Sequence, residues 1–467
     1  MKSRSYFYCG FATSLNILLN ALTLGRFLWL EGRVTDGVFR NWSRRFDYRP
    51  AKYAMPSTER ELVDIIRQSS SVRLFGAGHS FNAGVESDFA LVSLDNYTGI
   101  VNEDLSKKQI TVRAGTRVRD VIKLLLNRGL AFKALPSHNA QSIGGILATD
   151  VHGTGKDWGW VSEMVVGMKV IDGNGDIHQV KPEDDIFRAA IGGIGAVGII
   201  SEVTVQARSR FNVEQTCIIA DLAYVENSLE DLIAENDHLS LYIFPFSGQC
   251  QINLWNRTEK RKSTLGALRE FINISIDALV SAWFGNFMAY TGVLNKWSGL
   301  AYRFKKGTDL VLESDEAYSR TIYHLHQELE FTVPFEDGMK TCKLFLERFE
   351  ELYLANPKEL PYTLLEVRFT PAGHELAMIG AGRDRRSCWV DLICNDSHGF
   401  EKYYSAAEEM IREIGARPHL GKFCQTLDRE HMQGIYGEEF DRFLMLRNKH
   451  DPQRKFSNRF TRRLFGD

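Results

Sequence analysis

The sequence predicts an α+β chain of two folded parts, and three observations predict it. Residues 41–208 read as short strands and helices punctuated by glycine, with no long linker. Residues 209–425 change to longer helices and well-separated alternating strands, the pattern of an antiparallel α+β unit, and residues 426–467 return to helix and coil. The composition, 44% hydrophobic and 25% charged over 467 residues, is that of a globular chain with a large core and excludes a disordered or polytopic membrane protein. A net charge of −2 leaves no basic footprint for nucleic acid.

In chain order, residues 1–36 form an apolar extension. On a helix, Thr13, Asn16, Asn20 and Thr23 share one face and Phe11, Leu15, Leu18, Leu19 and Leu22 the other, which predicts a membrane-interface helix. Arg26 stops the run short of a comfortable span, and no small-x-small site supports a removable signal. Residues 59–68 have helical periodicity behind Ser57 or Thr58 as N-cap, and 72–75 form a short apolar strand. A strand at 110–112 and a helix at 119–127, stopped by Gly129, come next. Strands at 164–171 and 199–207 follow, the first closed by the hairpin signal Asp172-Gly173-Asn174-Gly175. Further on, residues 271–294 carry Asp277 as their single charge, between the basic groups Lys260, Arg261, Lys262 and Arg303, Lys305, Lys306. This stretch suits a buried helix pair and a membrane-dipping helix equally. Strands at 362–370 and 389–394 complete the second part.

The seven cysteines lie far apart without a Cys-x-x-Cys, which argues against a disulfide framework or zinc site. The histidines also lack ligand spacing: His324 and His326, two apart, face opposite ways on a helix. No metal is expected.

Glycine loops carry the chemistry. Gly-x-Gly-x-x-Gly occurs at 193–198, but it follows a helical stretch and leads into a strand, the reverse of the dinucleotide-binding arrangement, so that fold is rejected. The strand 72–75 runs into Gly76-Ala77-Gly78-His79-Ser80, whose unobstructed amides suit a pyrophosphate. Residues 136–155, rich in Gly, Ser and Thr, offer hydroxyls and amides to a large polar ligand.

Together these segments resemble the FAD-binding (PCMH-type) domain of the vanillyl-alcohol-oxidase type, nearest to the sugar-alcohol and aldonolactone oxidases. The resemblance returns at Glu366-Val367-Arg368, at Pro418-His419-Leu420-Gly421-Lys422 and in the closing Asp-Pro…Lys-Phe…Asn stretch. It implies a two-subdomain FAD-binding domain at 37–208, an antiparallel α+β substrate (cap) domain at 209–425, and a C-terminal segment at 426–467 packing back on the FAD domain. By the same resemblance His79 bonds the flavin covalently, which raises its potential and prevents its loss. Gly76, Ala77, Gly78 and Ser80 then hold the pyrophosphate. Ser137, Ser142, Gly145, Thr149, His152 and Gly153 line the diphosphate and isoalloxazine, Ile200 meets the adenine through its backbone, and His419 sits beside the isoalloxazine. Pro136, ahead of Ser137, points to an oxidase.

Alternation along 362–370 puts Glu366 and Arg368 on one face. The resemblance adds Lys422 and sets all three around a carbinol carbon above the flavin. The expected reaction is oxidation of a CH–OH group of a polyol, sugar or aldonolactone by hydride transfer to flavin N5, with oxygen as acceptor. Lys422 and Arg368 stabilise the alkoxide, and Lys422 or Glu366 relays the proton. The tract departs from the His-Trp-Ala-Lys-x-His of lactone oxidases, reading His419-Leu420-Gly421-Lys422-Phe423-Cys424. A larger or lipid-linked polyol, with quinone as acceptor, is therefore a second expectation, and a non-catalytic flavin-binding interaction protein a third. The expected location is peripheral to a membrane on its cytoplasmic side, or else the soluble cytoplasm.

Overall fold

The computed structural model describes residues 6–25, 31–303, 308–320 and 322–467. Its first element is α1, Tyr6–Leu22. A small parallel sheet follows, built from β1 Lys52–Ala54, β2 Val72–Phe75 and β3 Ala90–Ser93 in the order β1-β3-β2. Helix α2, Glu59–Gln68, makes the crossover from β1 to β2. Thr58 caps it by accepting the Glu61 amide, and Leu62, Val63 and Ile66 are its buried stripe.

A second, antiparallel sheet has β4 Ile100–Asp104, β5 Gln109–Arg113, β6 Val165–Ile171, β7 Ile177–Val180 and β8 Ile199–Gln206 in the order β7-β6-β8-β5-β4. The expected hairpin joins β6 to β7, with Asp172 Oδ1 accepting the Asn174 and Asp176 amides. Between β5 and β6 lie α3, Val118–Leu126, and α4, Ile143–Ala148. The glycines at 193–198 follow a helix at Asp185–Ala190 and open into β8, the arrangement that excludes a dinucleotide-binding turn.

The largest sheet has eight antiparallel strands, β9 Asn212–Asp221, β10 His238–Ile243, β11 Gln249–Thr258, β12 Thr308–Glu313, β13 His326–Pro334, β14 Thr363–Thr370, β15 Ser387–Asn395 and β16 Arg417–Pro418. Their order is β12-β9-β11-β10-β14-β15-β13-β16. One face presents Leu329, Phe331, Leu365, Val367, Val390 and Leu392 to the core. After α5, Leu222–Glu235, α6, Gly266–Leu279, and α7, Asn286–Thr291, come the two helices that cover this face, α8, Gly338–Ala355, and α9, Phe400–Glu413. Phe331 packs on Phe345 at 4.7 Å, and the Tyr404 hydroxyl meets the Gln327 and Leu392 carbonyls. The other face is polar. Register sets Gln251, Tyr242, Glu366, Asp391 and Glu330 abreast across five strands. His326 opens β13 and His324 lies in the irregular stretch before it, which corrects the helical placement of this pair. Their alternation was mistaken for helix because Arg320-to-Leu325 has no strand pattern of its own.

Residues 271–294 belong to a longer run, α6 continuing through a π-helical segment Val280–Gly285 into α7. Against it lies α1, with Trp283 over Gly10 and its indole N–H donating to Ser14 Oγ at 3.0 Å. The face of α1 turned inward is the polar one: Thr13, Asn16 and Asn20 are buried while Phe11 and Leu22 are 63% and 70% exposed.

At the other end, α10, Glu438–His450, and α11, Arg459–Phe465, bracket a segment that returns to the first sheet. The Lys455 carbonyl accepts the Val72 amide at 2.8 Å, and the buried Arg73 guanidinium donates to the carbonyls of Gly84, Phe456 and Ile194. Asn458 caps α11 through the Thr461 amide and donates to the carbonyls of Ala83, Gly84 and Glu86. Asn458→Ala removes a cap and leaves buried carbonyls unpaired, so urea unfolding should show a loss of about 2–3 kcal/mol. Lys449→Ala, on the exposed side of α10, should stay within about 0.5 kcal/mol of the parent.

Candidate active site

The small parallel sheet and the largest sheet meet at a cleft whose walls are the loop after β2, the segment 136–152 and the tract 419–422. Two close backbone approaches shape it. A Cβ at Gly76 would fall 1.8 Å from Ser142 Oγ, and one at Gly78, where φ is +65°, would fall 2.8 Å from Gly32 Cα. Asn82 locks this loop onto the third wall by donating to the carbonyls of Leu420 and Lys422 at 2.8 and 2.7 Å, and the Phe81 amide meets the Gly421 carbonyl at 2.9 Å.

Gly76, Ala77, Gly78, His79, Ser80, Ser137, Ser142, Gly145, Thr149, His152 and His419 all line this cleft. Gly153 lines a smaller pocket beside it, with Glu366 and Arg368. Ile200 stands apart. It is buried in β8, paired with Val170 on β6, and the cleft on that side is lined by Ile194. Arg73, invisible to the motif reading although it is a lone charge in the apolar strand β2, also lines the cleft.

His79 sits in a row of rings, stacked with Trp42 at 5.3 Å and 4.3 Å from His138, which itself stacks on Tyr323 at 4.9 Å. Burial, reinforced by His79 and His326, holds the His138 pKa well below the ordinary value. The residues fit FAD. A row of aromatic rings adjoins a glycine loop with bare amides, and His138 Nε2 and Gln141 Oε1 are buried polar atoms with no hydrogen-bond partner.

Deeper in the cleft lies an ionic cluster. Lys422 Nζ pairs with Glu328, with Asp391 at 3.3 Å and with Glu330 at 3.5 Å. Arg368 makes two hydrogen bonds to Glu366, at 2.9 and 2.6 Å, and stands 3.8 Å from Glu330. His152 Nε2 meets Glu330 at 3.0 Å while its ring stacks on Trp389 at 3.5 Å. Burial opposes the charge on Lys422, yet Asp391, Glu328 and Glu330 outweigh that cost and raise its pKa. Burial likewise opposes ionisation of Glu328 and Glu330, and Lys422 with the neighbouring His326 or His152 reverses it, so both lie below the carboxylate range. Asp391 goes the other way. Burial, with repulsion from Glu328 and Glu330, raises it well above that range despite Lys422, and its Oδ1 has no hydrogen-bond partner. Burial pulls His419 down to about 4, against the pull of Glu330, so this imidazole is neutral at physiological pH.

Glu328, Glu330 and Asp391 are absent from the sequence reading. The signal for the first two was present in the strand His-Gln-Glu-Leu-Glu, where alternation puts His326, Glu328 and Glu330 on one face. Their meeting with Lys422 depends on long-range strand pairing, since Glu328 and Lys422 are 94 residues apart in the chain. Among the described residues, two groups approach metal-ligand geometry: His152, Glu330 and His419 inside the cleft, and Asp172, His178 and His450 near the β6–β7 turn. Each draws on distant segments, so spacing could not reveal it.

Comparison with known proteins agrees with this geometry. The family profile of the FAD binding domain matches residues 50–181, and that of D-arabinono-1,4-lactone oxidase matches residues 203–464, more than half of the chain. An L-gulono-1,4-lactone dehydrogenase from Mycobacterium tuberculosis is 24% identical over 445 residues, covering 92% of this chain and 99% of its own. The L-gulonolactone oxidase of Bos taurus is 26% identical over 443 residues, covering 91% and 98%. In structure, a cholesterol oxidase from Brevibacterium sterolicum superposes with a TM-score of 0.71 at 19% identity, over 93% of this chain and 98% of that one, which shows a shared fold. With a glycine-walled cleft that fits FAD and a buried lysine–carboxylate cluster at its end, the chain belongs to the D-arabinono-1,4-lactone oxidase family and is an FAD-linked oxidoreductase acting on CH–OH donors.

Proposed function

We propose that this enzyme oxidises a secondary or primary CH–OH group of a sugar lactone or related polyol, with FAD held through His79 and oxygen as the acceptor. Residues 37–208 and 426–467 serve the cofactor, residues 209–425 the substrate. The observation that carries the reading is Lys422, a buried ammonium beside the cleft, paired with Glu328 and Glu330 and with Asp391 at 3.3 Å.

Bound FAD supplies the hydride acceptor. The chain's own residues handle the oxygen of the alcohol. Lys422 and Arg368 line the cleft as cations and stabilise negative charge developing on the carbinol oxygen. Since Lys422 retains its own proton, it cannot be the acceptor of the substrate's, and of the two expected relays this leaves Glu366. Its partner Arg368 fixes the carboxylate through two hydrogen bonds. Neutral His419 accepts the Gly421 amide at Nδ1, so its orientation beside the cleft is set by the backbone. Pro136, in the cleft wall, leaves a small, rigid residue where oxygen must approach.

The outward apolar face of α1 supports peripheral contact with a membrane. Phe7, Phe11, Leu18 and Leu22 are exposed beside the stripe Leu268, Ile272, Ile276, Val280, Phe284 and Phe287, and only 33% of the most apolar window of Gly266–Thr291 is buried. Exposed Arg261 and Arg269 suit an anionic leaflet.

Four results test these assignments. Acid precipitation should leave yellow flavin in the protein pellet, and His79→Ala should release it to the supernatant; release from the parent overturns the covalent bond. Lys422→Met combined with Glu328→Gln, which removes opposite charges together, should keep FAD bound and slow anaerobic flavin reduction by roughly 100-fold. The parent's reduction rate should vary by no more than about twofold between about pH 6 and 9 because Lys422 stays protonated. A titration in that window lost in the variant would show Lys422 releasing its proton. Finally, co-sedimentation with anionic phosphatidylglycerol vesicles should fall at least fivefold when Phe11 and Phe284 are both replaced by Glu.

A further inference from the structure

A cavity of about 340 Å³ lies between the α6–π–α7 run and the polar face of the large sheet, and the residues of its wall change character from one end to the other. At the outer end are Ile276, Val280 and Phe284, each of which is 40% or more exposed and belongs to the apolar stripe on the protein surface. The wall also carries Ile274, Ala278, Met288, Leu364 and Ile393, with Arg320 and His324 among its polar residues. At the inner end Ser137, Tyr323, His326 and Glu328 line both this cavity and the FAD cleft, and Glu366 lines it too.

The π-helical segment is part of this design. Val280–Gly285 forms the stretch of helix over the cavity, and it carries Val280, Ser281, Phe284 and Gly285 into the wall. Such a segment is less well bonded than α-helix and persists where the wider turn serves a site. Here Gly285 lets the helix approach Tyr362 so closely that a Cβ would stand 2.9 Å from its ring.

We propose that this cavity receives the hydrocarbon chain of an amphiphilic substrate, a polyol or sugar lactone bearing an acyl or alkyl tail, which enters from the lipid surface through the apolar helices. The inference rests on the CH–OH oxidation proposed above. The polar head reaches the ion cluster at the inner end, where Glu366 and Glu328 stand, and the tail lies along the apolar middle. At about 30 Å³ for each water-sized group, the volume holds on the order of ten methylenes. A free, fully polar lactone has no use for this wall, because buried apolar surface contributes to binding only when an apolar group covers it. Replacement of the lactone-oxidase Trp by Leu420 in the neighbouring tract is in keeping with a different substrate.

The test compares L-gulono-1,4-lactone with its 6-O-octanoyl ester, presented below its micellar concentration, by the rate of anaerobic flavin reduction in the holoenzyme. The ester's kcat/KM should exceed the parent lactone's at least tenfold, and Ala278→Phe or Ile274→Trp, which fill the cavity, should reduce that ratio to twofold or less. Using the ratio within each variant separates loss of the tail site from general damage, and two variants guard against one that folds poorly. Reduction by the lactone with no gain from the ester overturns the inference and leaves the proposed function standing. Failure of both compounds, and of unesterified and octylated pentitols in their place, overturns the function and the inference together. A gain that survives filling puts the tail elsewhere and overturns the cavity assignment. If the filled variants instead reduce normally and lose reoxidation by decylubiquinone, the cavity belongs to the electron acceptor and the substrate assignment falls.

Discussion

The lysine–carboxylate cluster at Lys422 is the constraint on which the rest of the site depends. Lys422 comes from the tract after β16, Glu328 and Glu330 from β13, Asp391 from β15, and Glu366 with Arg368 from β14, so the cluster exists only when the sheet has its full register. Taking these charges from water costs several kcal/mol per ion, and replacing them by apolar side chains would serve stability as well or better. Their retention is explained by chemistry at the cleft. The cluster also joins the two halves of the molecule, since the same tract binds the glycine loop through Asn82 and runs beside β13 through the Glu328 and Glu330 carbonyls.

That dependence explains the electrostatic division of labour. Four acidic groups crowd two cations, and the crowd resolves itself by position. Glu328 and Glu330, close to Lys422 and a histidine each, hold their charge, whereas Asp391, flanked by both glutamates, favours its neutral form. The result is a lysine whose pKa its carboxylate neighbours raise, in keeping with the charge-stabilising role proposed for it.

How much of this was legible in the sequence follows the range of each interaction. Local signals read well: α2 begins after Thr58 as its cap predicts, β2 occupies 72–75, and the alternation of Glu366 and Arg368 brought those two side chains into contact. The glycine run at 193–198 was correctly refused a dinucleotide role because its neighbours stood in the wrong order. Glu328, Glu330 and Asp391 were missed because the lysine that gathers them is distant in the chain, 94 residues from Glu328 and 31 from Asp391. His324 and His326 were put on a helix because two residues of spacing say nothing of the strand that starts at the second. Ile200, expected by resemblance to meet the adenine through its backbone, is buried inside β8, and Ile194 is the isoleucine that lines the cleft.

The N-terminal helix shows how a correct pattern acquires a different meaning in three dimensions. Its two faces are those the periodicity defines, but a soluble packing would bury the apolar one. Here Thr13, Asn16 and Asn20 turn inward against the π-helical run, Asn20 bonding the Asn16 carbonyl, and Phe7, Phe11, Leu18 and Leu22 are left outside. Exposing that face costs free energy in water, at about 25 cal/mol for each Å² of apolar surface, and the neighbouring helix repeats the same cost along its stripe. Two adjoining helices with the same orientation are hard to explain as a defect of folding, since each already has a protein surface against which its apolar side could have turned. The proposed membrane contact would give both apolar faces a partner, and the cavity proposed for the substrate tail lies behind them.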